Sequence, residues 1–283
     1  MLKGVLDKID KPLECLESNS KNIKENRSNK QLIVTNKKTF NYNENLKDYE
    51  NLEVTGKFHG SCCLIAVFSE VLRDQMINDK TLTFKNDNIY SFNINYKKSN
   101  ISIELEIGKK YLWRRRDVKK GRKIPNGWLR TSESKVNHNI GYILVTEYET
   151  EAPYINIMNK TNILRNLNNN FFIEEQHLNL FEEGTYELCG PNMQNNVHKF
   201  NVNLLIPHGI YKINNTIFNS FYEKGEDVDL DKIRLWLLND KEGKLFEGIV
   251  IHITKNKKKT FYKLHRGHLG LGKFIDAPQF LYK

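Results

Sequence analysis

The stretch that decides the reading is LEVTGKFHGSCCLIAVF, residues 52–68. Residues 62–68 are apolar and rich in strand formers, the pattern of a buried strand. Residues 52–55 approach that strand from the other side of Lys57, which stands beside a glycine turn. Lysine is among the residues least often fully buried. A lysine at the mouth of a core therefore asks what it meets there.

Working outward, strand patterns dominate. GSCCLIAVF (60–68), IYSFNINYKK (89–98), ISIELEIGKKYLW (101–113) and IGYILVTEY (140–148) alternate or run apolar between Asn, Gly and Lys breaks. GTYELCG (184–190), NLLIPHGIYKI (203–213), LFEGIVIHI (245–253) and TFYKLHR (260–266) read as short strands. NNFFIEEQHLNLFEE (169–183) fits either a helix or a pair of strands. DLDKIRLWLLND (229–240) carries apolar residues at helical spacing behind an aspartate cap and is a helix. This pattern predicts an α+β fold with mostly antiparallel sheet. No repeat, low-complexity tract or Pro/Gly/Ser linker divides the chain. Residues 1–45 read as a polar N-terminal arm with one apolar run, QLIVT, and residues 46–283 as a single domain.

The 283 residues suffice for a sizeable core. A composition of 39% hydrophobic and 28% charged residues fits a globular protein. No apolar run reaches the ~18 residues of a membrane helix, and the N-terminus is too interrupted by charge for a signal peptide. The expected setting is intracellular and cytoplasmic, with no membrane partner. Cys15, Cys62, Cys63 and Cys189 form no CxxC or zinc spacing, so they read as reduced thiols, with Cys62 and Cys63 on opposite faces of one strand. The net charge of +10 favours a polyanionic partner. Two basic clusters stand out, WRRRDVKKGRK (113–123) and KNKKKTFYKLHR (255–266).

Lys57, Arg114, Arg115, Arg116, Glu187, Glu247, Lys263 and His265 fall at strand ends or inside strands, where the pattern calls for apolar residues. Charges of complementary sign in such places imply a polar pocket suited to phosphate chemistry. Lysine becomes a nucleophile when desolvation and neighbouring cations lower its pKa, and Lys263 is the cation expected near Lys57. Glu247 supplies carboxylate oxygen for Mg²⁺. The expected reaction is attack of Lys57 on the α-phosphate of a nucleoside triphosphate, with pyrophosphate leaving. His198, His208, His252 and His268 show no metal-ligand spacing and read as structural, and Trp113 and Trp128 as core or rim aromatics.

KFHG (57–60) resembles the nucleophile motif of RNA ligases, DNA ligases and mRNA capping enzymes. YELCG, EGIV and YKLHR follow in that superfamily's order. From about residue 45 to 272 the chain is most similar to the vertebrate-type ATP-dependent 5′-to-3′ RNA ligases, through GSCC, YLWRRRD, YELCGPN, LLIPHG, EGIV and KLHRGHLGLG. The resemblance implies a nucleotidyltransferase (ATP-grasp-like ligase) fold of two antiparallel sheets with flanking helices. It implies ATP and Mg²⁺ (or Mn²⁺) as cofactors. The partners would be RNA ends bearing a 5′-phosphate and a 3′-hydroxyl, and the protein a monomer. By the same resemblance Lys57 is the adenylated nucleophile, within a nucleotide-binding set of Lys57, His59, Gly60, Arg115, Glu187 and Lys263. Glu247 binds or orients the metal, and Lys263 holds the α-phosphate. Three positions depart from the wider pattern. His59 replaces the motif's aspartate, as in some phage and editing ligases. Gly56 stands where close relatives have a glutamate that helps read the base, which leaves the choice of nucleotide open. His265 replaces a second lysine. The rival readings are a DNA ligase or capping guanylyltransferase, which carry a further barrel domain after the last motif, and a nucleic-acid-binding module with a decayed site. The short stretch after Arg266 disfavours the former, and the retained charges the latter.

Overall fold

The computed structural model describes residues 13–17, 32–38, 49–78, 82–96, 99–119, 121–125, 128–132, 138–146, 154, 157, 160–168, 170–221 and 229–282. The run SCCLIAV becomes strand β4 (Ser61–Val67) near the middle of a nine-stranded sheet. It is apolar from Cys63 to Val67 because both of its faces are covered there. Cys63 and Ile65 enter a cluster with Leu112, Leu188 and Leu205. Leu64 and Ala66 enter another, with Trp113, Tyr142, Phe92 and Leu105, and Cys62 packs against it. The two adjacent cysteines thus face opposite ways, as the strand period requires.

The flanking strands are β8 (Lys110–Arg115), β11 (His138–Leu144) and β10 (Trp128–Ser132) on one side. On the other lie β14 (Gly184–Cys189), β15 (Leu204–Pro207), β12 (Lys160–Leu167) and β13 (Asn170–His177). The short β9 (Val118–Lys119) pairs with β11. All these pairs are antiparallel except β12 with β15, which is parallel. Residues 170–177 resolve as strand, followed by a single turn of 3₁₀ helix over Leu178–Leu180.

A second sheet is formed by β3 (Asn51–Lys57), β16 (Gly248–Lys255) and β17 (Lys258–His265), in the order β17-β16-β3. Its inward residues Val54, Ile249, Ile251, Tyr262 and Leu264 join Leu204 and Ile206 of β15 in one core. Helix α3 (Leu230–Asn239) adds Ile233, Trp236 and Leu237 to that core. The expected aspartate cap of α3 is present, with the Asp229 carboxylate accepting from the Lys232 amide at 2.9 Å. The short helix α2 (Asn215–Asn219) contributes Phe218. A third sheet, β5 (Leu82–Asn86), β6 (Ile89–Tyr96) and β7 (Ser99–Glu106), and helix α1 (Glu70–Asn78) cover the Leu64 face of β4. In the N-terminal arm, β1 (Leu13–Glu17) pairs antiparallel with β2 (Leu32–Lys38), which lies beside residues 266–269. The rest of the expected arm, and Glu147 and Tyr148 of the expected 140–148 strand, lie outside the described residues.

The architecture is sheet-dominated α+β. Two points differ from expectation. The described strands form four sheets rather than two, and one strand pair is parallel. Both follow from connectivity. Residues 82–106 close on themselves as consecutive hairpins, and β15 reaches β12 only after crossing from β14. Trp113 and Trp128 are core residues.

Candidate functional site

The nine-stranded sheet has one continuous apolar face and one divided face. On the divided face, the core under β12 and β15 and the core under β4, β8 and β11 are separated by a polar row. The strand register builds that row. Ile206 of β15 stands opposite Glu187 of β14, and Glu187 opposite Cys62 of β4. Arg115 of β8 is the next step of the ladder after the Cys63–Arg114 pair, and it stands opposite Tyr142 of β11. The Cys62 thiol meets the Tyr142 hydroxyl at 3.5 Å.

Above the row the chain passes from the small sheet to the large one. Lys57 is the last residue of β3, and residues 58–60 cross over to β4. Lys57 stands opposite Gly248, and the Glu247 amide donates to the Lys57 carbonyl at 2.8 Å. This backbone bond places the Glu247 carboxylate on the lysine. One oxygen forms a short ion pair with Lys57 Nζ, and the other lies 3.3 Å from His59 Nδ1. Lys57 Nζ also donates to the Phe58 carbonyl at 3.0 Å.

Three further bonds fix the crossing loop. The Gly60 amide donates to Glu187 Oε1 at 2.9 Å, the His59 amide to His198 Nε2 at 2.9 Å, and the Cys189 thiol meets the His59 carbonyl at 3.5 Å. Gly60 is required by this close approach, since a Cβ there would lie 2.3 Å from the Leu188 carbonyl oxygen. Glu187 Oε2 is bound at 2.9 Å by His208, whose Nδ1 meets Thr185 Oγ1 at 2.8 Å. A cavity of about 270 Å³ opens here between the two sheets, lined by Lys57, Glu187, His208, Val250, His252 and Phe261 among others.

The electrostatics correct one expectation. Burial by itself pulls the Lys57 ammonium down, but Glu187 and Glu247 outweigh it, and its pKa is raised. Cationic neighbours do not activate the lysine in this state, because the nearest charges are carboxylates. Burial pushes the Glu247 and Glu187 carboxyls up, yet Lys57 with His59, and Lys57 with His208, hold them below the usual range. His198, buried among Phe58, Phe200 and Phe274, is pulled down to about 3 by desolvation and is neutral.

The structure brings together Lys57, His59, Gly60, Glu187 and Glu247. Lys263 stands opposite Val250, which stands opposite Thr55, so it shares the face of the small sheet that carries Lys57. Arg115 shares the polar row, but its guanidinium forks onto Asp117 at 2.9 and 3.2 Å. Gly56 differs in outlook from the position described for the relatives. A Cβ there would meet the Phe246 ring at 2.5 Å, so a glutamate has no room.

The sequence reading passed over three histidines that bear on the site. His208 and His252 line the cavity, and His252 Nε2 lies 2.8 Å from Thr55 Oγ1. His198 holds the loop. In the sequence, the histidine of LLIPHG is the signal for His208. His268 is buried and stacked on His265 with centroids 3.5 Å apart.

Among the described residues no group of three or more His, Cys, Asp or Glu could hold a metal ion. Glu247 and Glu187 are the carboxylates at the cavity, and one or two carboxylates completed by phosphate oxygens and water is a shell that a hard cation accepts. No described helix is long and apolar enough to cross a membrane. A family model described as RNA ligase 1 matches residues 5–281. No curated relative matches the chain.

Proposed function

The chain belongs to the RNA ligase 1 family, and from that premise we propose that it joins RNA ends with ATP through a lysyl-adenylate on Lys57, in a nucleotidyltransferase fold. The observation that carries the proposal is the position of Lys57. It ends a strand at the junction of two sheets, faces a cavity of about 270 Å³, and has Glu247 and Glu187 within its electrostatic reach.

In the first step the Lys57 amine attacks the α-phosphorus of ATP. An N–P bond forms, the bond to the bridging oxygen breaks, and pyrophosphate leaves. Lys57 must lose a proton first. The geometry makes Glu247 the gate for that step, because its carboxylate is the closest anion holding the ammonium. Drawing Glu247 away lowers the Lys57 pKa toward reactivity. Glu247 is also the residue that would hold Mg²⁺ or Mn²⁺, which when bound supplies positive charge at the phosphates. Each of its oxygens already has one partner, Lys57 or His59, so a metal would share an oxygen with one of them or displace it. Glu187, fixed by His208 and the Gly60 amide, would accept a hydrogen bond from a ribose hydroxyl. Lys263 would neutralise the α-phosphate, and Arg115 would reach a phosphate or ribose on leaving Asp117. In the second step the RNA 5′-phosphate oxygen attacks the adenylyl phosphorus and frees Lys57. In the third the 3′-hydroxyl attacks the activated 5′-phosphorus and AMP leaves.

The test is intact mass after incubation with ATP and Mg²⁺. The expected result is a gain of one adenylyl group in the wild type and none in Lys57→Ala. Adenylation of Lys57→Ala would overturn the assignment.

A further inference from the structure

We infer that the ridge made by Arg116, Lys119, Arg122 and Lys123 is the surface along which the phosphate backbone of the RNA strand approaches the site, an inference that rests on the RNA-ligase reading. All four side chains are exposed. Among the described residues, none of the four has an acidic partner, whereas Arg73, Lys85, Arg165, Lys212 and Arg234 are each held in an ion pair. Asp117, the acid in the same segment, is spent on Arg115. Among the described residues, therefore, no carboxylate neutralises the charge of the ridge.

Its place in the fold ties it to the site. Strand β8 leaves the polar row at Arg115, and Arg116 is the next residue. Its amide donates to the Gly141 carbonyl at 2.8 Å, and its own carbonyl accepts from Trp128 Nε1 at 2.6 Å. Lys119 is held by the pairing of β9 with His138 of β11. Val118 is buried beneath. The backbone at Arg116 and Lys119 is thus held before any ligand arrives, which reduces the ordering cost of binding. Arg115 lies two strand spacings from Glu187, roughly 10 Å across the sheet. A strand lying on the ridge leads directly into the row beside the cavity.

The hairpin-tip half of the second basic cluster, residues 255–259, is excluded by the same register. Lys57 stands opposite Gly248, whereas Lys255 and Lys258 pair at the tip of the β16–β17 hairpin. Gly248 and Lys255 are seven residue steps apart along β16, about 24 Å at the usual rise. Lys257, Lys258 and Lys259 are exposed there, remote from the nucleophile. Contacts from the ridge would be to phosphate, so they position the strand without reading its sequence.

The experiment compares two full-length variants with the wild type, using a 5′-phosphorylated RNA oligonucleotide across a series of salt concentrations. One carries Arg116→Ser, Lys119→Ser, Arg122→Ser and Lys123→Ser, and the other Lys257→Ser, Lys258→Ser and Lys259→Ser. The ridge variant should bind RNA at least tenfold more weakly. Its log affinity should fall less steeply with log salt by up to about 3, at ~0.7 per lost phosphate contact on a single strand. Self-adenylation by ATP should be unchanged in it, and the hairpin variant should keep the wild-type slope. Unchanged affinity and slope in an adenylating ridge variant, or an equal loss in the hairpin variant, would overturn the ridge. A wild type that takes no label from ATP would instead overturn the ligase reading. Should the fourfold variant not fold, Arg122→Glu on its exposed bend serves alone, with weaker RNA binding expected and wild-type binding overturning the proposal.

Discussion

At the scale of single residues, the site works by sharing a few carboxylate oxygens among many donors. Glu187 is buried and holds Gly60, His208 and, through its charge, Lys57. Its folded pKa lies below the reference value of 4.5. A carboxyl depressed on folding contributes stability that is present above its unfolded pKa and lost as pH falls through the folded one. Glu187→Gln should therefore lower the thermal midpoint most at neutral pH. Its deficit should shrink as pH drops below about 4.5, where the wild type also loses its charge. A deficit independent of pH would refute the linkage. His198 makes a different kind of contribution. Its Nε2 accepts from His59, which puts the proton on Nδ1, and that atom is buried with no partner. An unpaired buried donor costs about 1–3 kcal/mol. His198→Leu removes it while leaving the His59 amide unpaired, so the two effects offset. The midpoint should move little while single-turnover adenylation falls roughly 10- to 100-fold, the scale of a misplaced reacting group. The Km for ATP should change less than threefold. His198→Asn, which keeps an acceptor, should recover part of the rate. Wild-type adenylation in a folded His198→Leu protein would show the ring to be packing alone.

At the scale of elements, what could be read depended on period. The β4 run was legible because a strand covered on both faces is apolar at every position, and α3 because its apolar spacing began at a capping aspartate. Lys57, Glu187 and Glu247 were legible as charges where strands should be apolar. His198 was not, since its partner lies 139 positions away and only the fold brings them together. The stretch 169–183 stayed ambiguous because Phe171, Phe172 and Ile173 are consecutive and break the strand alternation. The segment after Gly270 was illegible for a simpler reason: it has no regular structure, so no period marks it. Yet Phe274, Ala277 and Phe280 are buried there. Phe280 packs its ring against Phe58, Phe171 and Tyr211, with centroids 5.3–6.2 Å apart. Phe274 stands over the Arg266 guanidinium at 4.8 Å and edges toward His59 at 6.1 Å. This segment walls the crossing loop. Phe280→Ala should cost about 3–5 kcal/mol, the range for emptying a phenylalanine site in a core, measured by chemical denaturation. A loss under 1 kcal/mol would mean that the segment is dispensable to the core.

At the scale of the whole molecule, the divided face of the large sheet carries a consequence for stability. Two cores flank a row of charges, and on the proposed function a nucleotide would fill the space between them. A nucleotide in the cavity should close that gap and stabilise the native state by mass action, about 2.7 kcal/mol when free ligand is a hundredfold above its Kd. For a chain of this size that corresponds to a rise of roughly 5–10 °C in thermal midpoint. The proposed covalent step would separate binding from chemistry. In the wild type the rise should persist after free ATP is removed by desalting, because the adenylyl group stays on Lys57. In Lys57→Ala it should appear with ATP present and vanish on desalting. Repeating the measurement with GTP addresses the base, since Gly56 offers no side chain and Phe246 leaves no space for one. A shift retained only with ATP places base selection in the cavity wall of Val250, His252 and Phe261. Equal retention with both nucleotides would mean that the wall accepts either purine. A shift lost on desalting from the wild type as well would leave nucleotide binding intact and remove the lysyl-adenylate from the mechanism.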